Sequence, residues 1–224
     1  MTYQETMALL ESLGTAQNRK VYASHGAGEN QFGVSFANLY ALQKKIKTDH
    51  ALAVELWNSG NTDARMLATM IADPAKVDRD TARRWVKEAR YYGLNDELVK
   101  NVIVRTPYFR DLMNEWLDSP DEYEARAGWT MLNHIALNDP SPDDTYFEKF
   151  LPLIEQEIHN SPNRKKEMMN YTLIAIGIRN PVLKEKAVES SKRIGKVKVD
   201  HGETWCKTPD AIPYIEKVIK RKGW

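Results

Sequence analysis

The sequence predicts an all-α fold in which helical hairpins stack into an α-α superhelix, or solenoid, with a concave face. Three observations support this prediction. Apolar residues recur at helical spacing along most of the chain. An alternating run of β-branched residues is confined to the short stretch 197–199. Similar helix ends also recur along the chain, as expected for repeated hairpins that must stack to bury their apolar faces.

The N-terminal region, residues 1–33, is predicted to hold short helices followed by a glycine-rich loop. Apolar residues at helical spacing indicate a helix over 5–14, and Gly14 stands where a left-handed C-cap is expected. A further turn is predicted within 17–22. The loop 25–34 lacks the spacing of a phosphate-binding loop, so it is either a tight connection or a loop whose backbone approaches a ligand. Ser35 is a suitable N-cap for the next helix.

Residues 34–195 are predicted to form the helical repeats, and residues 196–224 a tail that ends in a helix. The first repeat helix runs from Ser35 through Ile46. Pro107 and Pro181 are suitable first residues for the helices that follow them. Further helices are predicted over 50–57, 63–72, 80–91, 97–105, 108–117, 121–137, 147–159, 166–179 and 182–194.

Three of these helices end in a similar way, with small and apolar residues followed by Asp-Pro or Asn-Pro. The prolines are Pro74, Pro140 and Pro181, which stand 66 and then 41 residues apart. These intervals suit two units of about 33 residues and one slightly longer unit, in the range of helical-hairpin repeats. The alternative is that Asp-Pro ends any helix, because the residue before proline avoids the α region.

The composition is that of a soluble globular protein. Of the 224 residues 42% are hydrophobic and 28% charged, and 32 basic residues balance 31 acidic residues to give a net charge of +1. A nucleic-acid-binding function would therefore require the basic residues to be sorted onto one face. The single cysteine, Cys206, and the lack of a signal peptide or membrane span predict a cytoplasmic protein, expected to be a monomer with one domain over 1–224.

Tyr92, Asp96 and Arg126 are the residues that most suggest chemistry. Asp96 follows Tyr92 by four residues, so on a helix both would face the same side. An aromatic ring, a carboxylate and an arginine on the inner surface of a helical array could form a site for a cationic, electron-poor substrate. The alternative is that Tyr92 packs, Asp96 caps or pairs, and Arg126 joins a surface salt bridge.

A set of fragments in a fixed order connects the chain to a known family. The fragments are 32–34, 44–46, 50–57, 63–68, 71–74, Trp116 ten residues before Arg126, and 200–210. With these the chain resembles, from about Phe32 to the C-terminus, the AlkD-type DNA alkylation repair proteins. These are 3-methyladenine and 7-methylguanine DNA glycosylases built from HEAT-like repeats. The resemblance implies that the predicted repeats are HEAT-like.

The resemblance also implies a catalytic site. The family pattern Trp-Asp-x-x-Asp falls on Tyr92, Gly93 and Asp96, with Asp96 at the catalytic aspartate. The family's site arginine falls on Arg126, and its second cleft tryptophan falls near Tyr171. Both tryptophans are therefore tyrosines here, which either keeps stacking and hydrogen bonding or marks a paralogue without the chemistry.

The implied reaction hydrolyses the N-glycosidic bond of a cationic alkylated purine in double-stranded DNA. The cationic base is already a good leaving group, so Asp96 need only stabilise positive charge on the sugar and position a water molecule. Tyr92 and Tyr171 would supply cation–π attraction, and Arg126 would bind a backbone phosphate. We expect no cofactor and no metal, and the five histidines show no ligand spacing such as HExxH.

Two clusters of basic residues are predicted to contact DNA phosphates, unless they simply form solvated faces. They are Lys44, Lys45 and Lys47, and Arg164, Lys165 and Lys166. Trp116 and Trp129 are predicted to pack between helices. The leading interpretation is a DNA glycosylase. The alternative is a non-catalytic HEAT-like paralogue that binds DNA or a protein through its concave face, whereas a nucleotide-dependent enzyme finds no support in the glycine-rich loop.

Overall fold

The computed structural model describes residues 1–223, which form helices joined by loops and turns, with no strand among them. An isolated antiparallel bridge between Gly14 and Val34 is the only β contact in this part of the chain, and the stretch 197–199 is irregular. The all-α prediction is therefore confirmed. No helix in the described residues is long and apolar enough to cross a bilayer.

The chain divides into two compact units. The first comprises Met1–Arg110 with Gly202–Thr204. Its helices are α1 (Tyr3–Leu13), α2 (Ala16–Ser24), α3 (Phe36–Ile46), α4 (His50–Asn58), α5 (Thr62–Ile71), α6 (Arg79–Glu88) and α7 (Tyr92–Asn101), with 3₁₀ turns at Pro74–Lys76 and Ile103–Arg105.

Two stacked tryptophans centre the core of the first unit. The rings of Trp57 in α4 and Trp85 in α6 lie 4.4 Å apart at 13°, and neither is exposed. The indole N–H of Trp57 donates to Glu88 at 2.6 Å, and Arg65 donates to the Trp57 carbonyl at 3.0 Å. Burying two such rings stabilises the fold by several kcal/mol, on the order of 2 to 3 each.

The second unit comprises Asp111–His201 and the chain from Trp205. Its helices are α8 (Phe109–Leu117), most of which lies in this unit, α9 (Glu122–Asn138), α10 (Asp144–Glu148), α11 (Phe150–Glu157), α12 (Asn163–Gly177), α13 (Pro181–Ile194) and α14 (Ala211–Lys222).

Helices α9 and α12 form the core of the second unit. Trp116 and Trp129 are almost completely buried, which confirms that they pack between helices. A Cβ atom at Gly128 would lie 2.7 Å from the backbone nitrogen of Leu117, so only glycine lets α9 approach the end of α8 this closely. Thr172 in α12 donates to the Trp129 carbonyl at 3.2 Å.

Several predicted helix boundaries are confirmed and others are wrong, among them that of Pro107, because α8 begins only at Phe109. Ser35 caps α3 by accepting from the Asn38 N–H, and Pro181 opens α13. The helix predicted over 147–159 is instead split into α10 and α11. Pro152 explains the split, because its ring would clash with the carbonyl of Glu148, where α10 ends.

The predicted left-handed cap at Gly14 is also wrong, since this residue is extended with φ −70° and ψ 150°. A glycine is needed there for a different reason. A Cβ atom at this position would lie 2.3 Å from the carbonyl oxygen of Phe32, on the strand-like stretch that pairs with it. Close backbone approach, and not backbone handedness, therefore requires glycine at position 14.

Candidate nucleic-acid site

Tyr92 and Asp96 stand on the first two turns of α7, both half-buried. The sequence predicted a helix only from residue 97, after a pause at the two tyrosines and Gly93. In the structure the helix begins at Tyr92, because the Asn95 N–H already donates to the Tyr91 carbonyl at 2.9 Å. The early start places Asp96 one helical turn after Tyr92.

The hydroxyl of Tyr92 forms a hydrogen bond with Nδ1 of His25 at 2.7 Å, and the two rings meet edge to face. Sequence reasoning did not select His25. Its only sequence signal was its place at the start of the glycine-rich loop, 67 residues away from its partner. The contact fixes the orientation of the ring that is predicted to face the substrate.

The glycine-rich loop is held in place by Asp63, in the first turn of α5. Its carboxylate accepts the backbone N–H groups of Phe32 at 2.6 Å, Gly33 at 3.0 Å and Val34 at 2.9 Å, and the residue is only 2% exposed. Tyr22 adds a bond to the Val34 carbonyl at 2.9 Å. The end of the loop at residues 32–34 is thus held as a tight connection, while His25 stands at its other end, directly after α2.

Gly93 occupies the position of the first aspartate in the family pattern, and Tyr91 explains why a side chain is absent there. A Cβ atom at position 93 would lie 2.7 Å from Cζ of the Tyr91 ring. Burial, followed by the charges around it, raises the pKa of Tyr91 above its usual value, so this phenol stays neutral at physiological pH. An apolar, uncharged ring therefore covers the start of α7.

Arg126 lies in the second unit, on α9, and its guanidinium is 3% exposed. It donates to the Glu167 carboxylate on α12 at 2.9 Å and to the Arg164 carbonyl at 3.2 Å. Arg126 therefore forms a buried ion pair. It is neither in a surface salt bridge nor a freely exposed cation. A phosphate would have to compete with Glu167, which also lies 3.4 Å from the Arg164 guanidinium and 3.7 Å from His201.

Tyr171 lies on the same helix as Glu167, one turn further along, and is half-buried. Burial, and then the negative charge of Glu167, raises the pKa of the Tyr171 phenol, which therefore remains a neutral hydrogen-bonding group. In the second unit one carboxylate that sequence reasoning missed, Glu167, thus pairs with the predicted arginine and acts through its charge on the predicted tyrosine.

The two predicted basic clusters differ in their surroundings. Lys44, Lys45 and Lys47 are exposed at the end of α3. Lys165, in contrast, is 9% exposed and pairs with Glu157 at 2.8 Å. Arg164 is held by Glu167, as described above, and Lys166 is half-buried. The cluster on α3 is therefore the better placed to meet a phosphate.

The chain is similar to known proteins along nearly its whole length. Residues 6–215 match the family described as DNA alkylation repair enzyme. The chain is 29% identical to an uncharacterized protein of Listeria innocua and 28% identical to one of Listeria monocytogenes, with 99% of each chain covered.

A solved structure resembles the chain with a TM-score of 0.90 and 32% identity, covering 99% of this chain and 95% of that one. It is described as a new family of proteins related to the HEAT-like repeat DNA glycosylases with affinity for branched DNA structures. The predicted HEAT-like fold is therefore confirmed.

Proposed function

Because the chain belongs to the DNA alkylation repair enzyme family, we propose that it binds DNA and prefers duplexes that carry a branch point. The observation that carries this proposal is the likeness, along 99% of the chain, to a protein with affinity for branched DNA. The exposed lysines of α3 support it, since phosphate contacts dominate the affinity of proteins for DNA.

Three features of the predicted catalytic residues favour binding over catalysis as the main function. Arg126 is neutralised by Glu167, Gly93 replaces an aspartate of the family pattern, and tyrosines replace both cleft tryptophans. A tyrosine ring attracts a cation less strongly than a tryptophan ring does. The tyrosines and the paired arginine weaken interactions that the implied glycosylase mechanism requires, and Gly93 departs from the family pattern.

The proposal is tested by measuring the anisotropy of a labelled four-way junction and of a linear duplex of the same nucleotide composition. We expect the junction to bind more tightly by about tenfold, which corresponds to ~1.4 kcal/mol. Affinity for both should fall steeply between roughly 50 and 200 mM salt. Equal affinities would refute the branch preference, and an affinity independent of salt would indicate a protein partner instead.

Hydrolysis of cationic alkylated purines is the second candidate function, and Asp96 is the observation that favours it. In this reaction the oxygen of a water molecule bonds to C1′ as the C1′–N bond breaks. The electron pair of the C1′–N bond stays on the departing base and neutralises it. Asp96 would stabilise the positive sugar and accept the proton of the water. Tyr92, oriented by His25, would cover the cationic base.

Release of 7-methylguanine from methylated duplex DNA tests this candidate. We expect the wild-type protein to release the base and Asp96→Asn, which keeps the shape but removes the charge, to release it at least ~100-fold more slowly. Junction binding by the same two proteins serves as the control for folding. Equal release by both proteins, or none by the wild type, would remove the catalytic role and leave the proposed DNA binding intact.

A further inference from the structure

A groove of about 420 Å³ lies in the first unit, at the ends of α3, α5 and α7. Lys44 and Lys47 line it from the end of α3, and Arg105 lines it from the 3₁₀ turn that follows α7. Helix C-termini carry a partial negative charge, so cations are favoured at this position. The groove thus gathers positive side chains from parts of the chain about 60 residues apart.

In the described part of the chain the three cations have no carboxylate partner. None of them forms an ion pair within residues 1–223, whereas Arg65, Arg83 and Arg84 of the same unit do. Asp73 is the one acidic residue in the lining, and its side chain accepts the Ala75 N–H at 3.1 Å. The three positive charges exceed the charge of Asp73 together with the partial negative charges of the helix ends, about half a charge each, so a net attraction for an anionic ligand remains.

The groove is preformed, because hydrogen bonds tie together the helix ends that frame it. Gln43 at the end of α3 donates to the Met70 carbonyl at 3.2 Å, and the Asp49 N–H donates to the Ile71 carbonyl at 2.9 Å. Asn101 at the end of α7 donates to Thr69 on α5 at 3.2 Å. A ligand would consequently bind without having to order these elements first.

Lys47 adds a second, independent feature. It is the only non-glycine residue with positive φ in the described chain, at φ 65° and ψ −140°. The equivalent cap of α13 has nearly the same conformation and is a glycine, Gly195. Strained backbone of this kind tends to be retained where a side chain serves a ligand. Lys47 thus occupies a position where the backbone of a lysine is disfavoured.

We propose that this groove binds the sugar–phosphate backbone of a DNA strand through Lys44, Lys47 and Arg105. The inference rests on the proposed DNA binding and assigns it a surface separate from Tyr92 and Asp96. Side chains at the groove contact phosphate oxygens and not bases, so the contact carries no sequence preference. A protein that recognises a branch point needs more than one backbone contact surface, and this groove supplies one.

The test compares two double variants that each remove two positive charges. The double variant Lys44→Ala, Arg105→Ala removes two of the three positive side chains that line the groove. Lys20→Ala with Lys217→Ala is the control, because both lysines are exposed, form no ion pair in the described chain and lie outside the groove. All four side chains are exposed, so circular dichroism and thermal unfolding should match the wild type.

Junction affinity is measured by anisotropy over a range of salt concentrations. We expect the groove variant to bind about tenfold more weakly at low salt and its log–log salt slope to shrink by ~1.8, which is two phosphate contacts. The control variant should lose less than about threefold. If both variants lose the same junction affinity, the groove has no special role in DNA binding, and the proposed function is unaffected. If the wild-type protein binds no DNA, both are overturned.

Discussion

Replacing Lys47 with glycine separates the backbone of this residue from its side chain. Lys47 ends α3 with φ 65° and ψ −140°, close to the conformations that only glycine adopts without strain. Its N–H donates to the Gln43 carbonyl at 2.7 Å, a bond that glycine can keep. Gly195 shows that the same cap is formed by glycine elsewhere in the chain, with φ 69° and ψ −151°.

The magnitude follows from two opposing effects. Holding a residue with a Cβ atom in this region costs on the order of 1 to 3 kcal/mol, and Lys47→Gly removes that cost. Glycine loses more conformational freedom on folding, which offsets about 0.5 to 1 kcal/mol. The side chain of Lys47 is exposed and makes no ion pair in the described chain, so its loss costs little. We therefore expect a net stabilisation of about 1 kcal/mol.

Urea unfolding followed by circular dichroism measures this change. The midpoint should rise by roughly 0.5 M at an unchanged slope, and the thermal midpoint by roughly 2 to 4 °C. Gly195→Ala is the reverse experiment, because it introduces a Cβ atom at a residue with nearly the same backbone conformation. No atom of a non-adjacent described residue lies within 4 Å of a Cβ built there, so its expected loss of about 1 kcal/mol would come from the backbone alone.

Lys47→Ala is the matched control, because it removes the charge and keeps the strained backbone. It should not stabilise the protein, whereas both Lys47 variants should lose the same DNA affinity. If Lys47→Gly is no more stable than Lys47→Ala, the backbone at this position is not strained, and the argument from strain to function fails.

Three further predictions concern buried polar groups. Asp63→Asn should lower the free energy of unfolding by about 2 to 3 kcal/mol, because an amide cannot accept all three backbone N–H groups; a loss below about 1 kcal/mol in urea would contradict this. Glu167→Gln should cost about 3 kcal/mol by leaving the buried guanidinium of Arg126 without its counter-charge, and an unchanged urea midpoint would show that the ion pair is dispensable. Tyr91→Phe should reduce the loss of stability in alkaline solution. Burial raises the pKa of Tyr91, so its contribution is complete below pH ~10, where the unfolded phenol begins to ionise, and is lost as the pH rises above that value. For each protein the thermal midpoint is measured from pH ~9 to ~11 and compared with its own value at neutral pH. An equal decrease in the wild type and in Tyr91→Phe would refute the assignment to Tyr91.

Local patterns were sufficient for most helices and several caps. Apolar spacing located the helices because each buries one face, and Ser35 and Pro181 act through atoms within a few residues of themselves. The start of α7 was misplaced because two aromatics and a glycine are weak helix formers. Their combined penalty, on the order of 1 to 2 kcal/mol, is smaller than the gain from burying Leu94 and Leu98 on that helix.

The residues of the candidate site were likewise predicted only in part from the sequence. From the sequence alone came the family resemblance, the residues Tyr92, Asp96, Arg126 and Tyr171, and the lysines of α3. Nothing in the sequence indicated that His25 would hold Tyr92, or that the Tyr91 ring would fill the space beside Gly93.

Only the tertiary structure decided the partners of the charged and polar side chains. Arg126 meets Glu167 across 41 residues, and the groove joins the end of α3 to Arg105. Helix formation depends on neighbours within four residues, which the sequence displays directly. Whether a cation is neutralised or left free depends instead on which helices pack together, and that is set by the fit of whole apolar faces. The sequence therefore determined that this chain is a helical-repeat protein with basic side chains, and its packing determined which of them are paired with carboxylates.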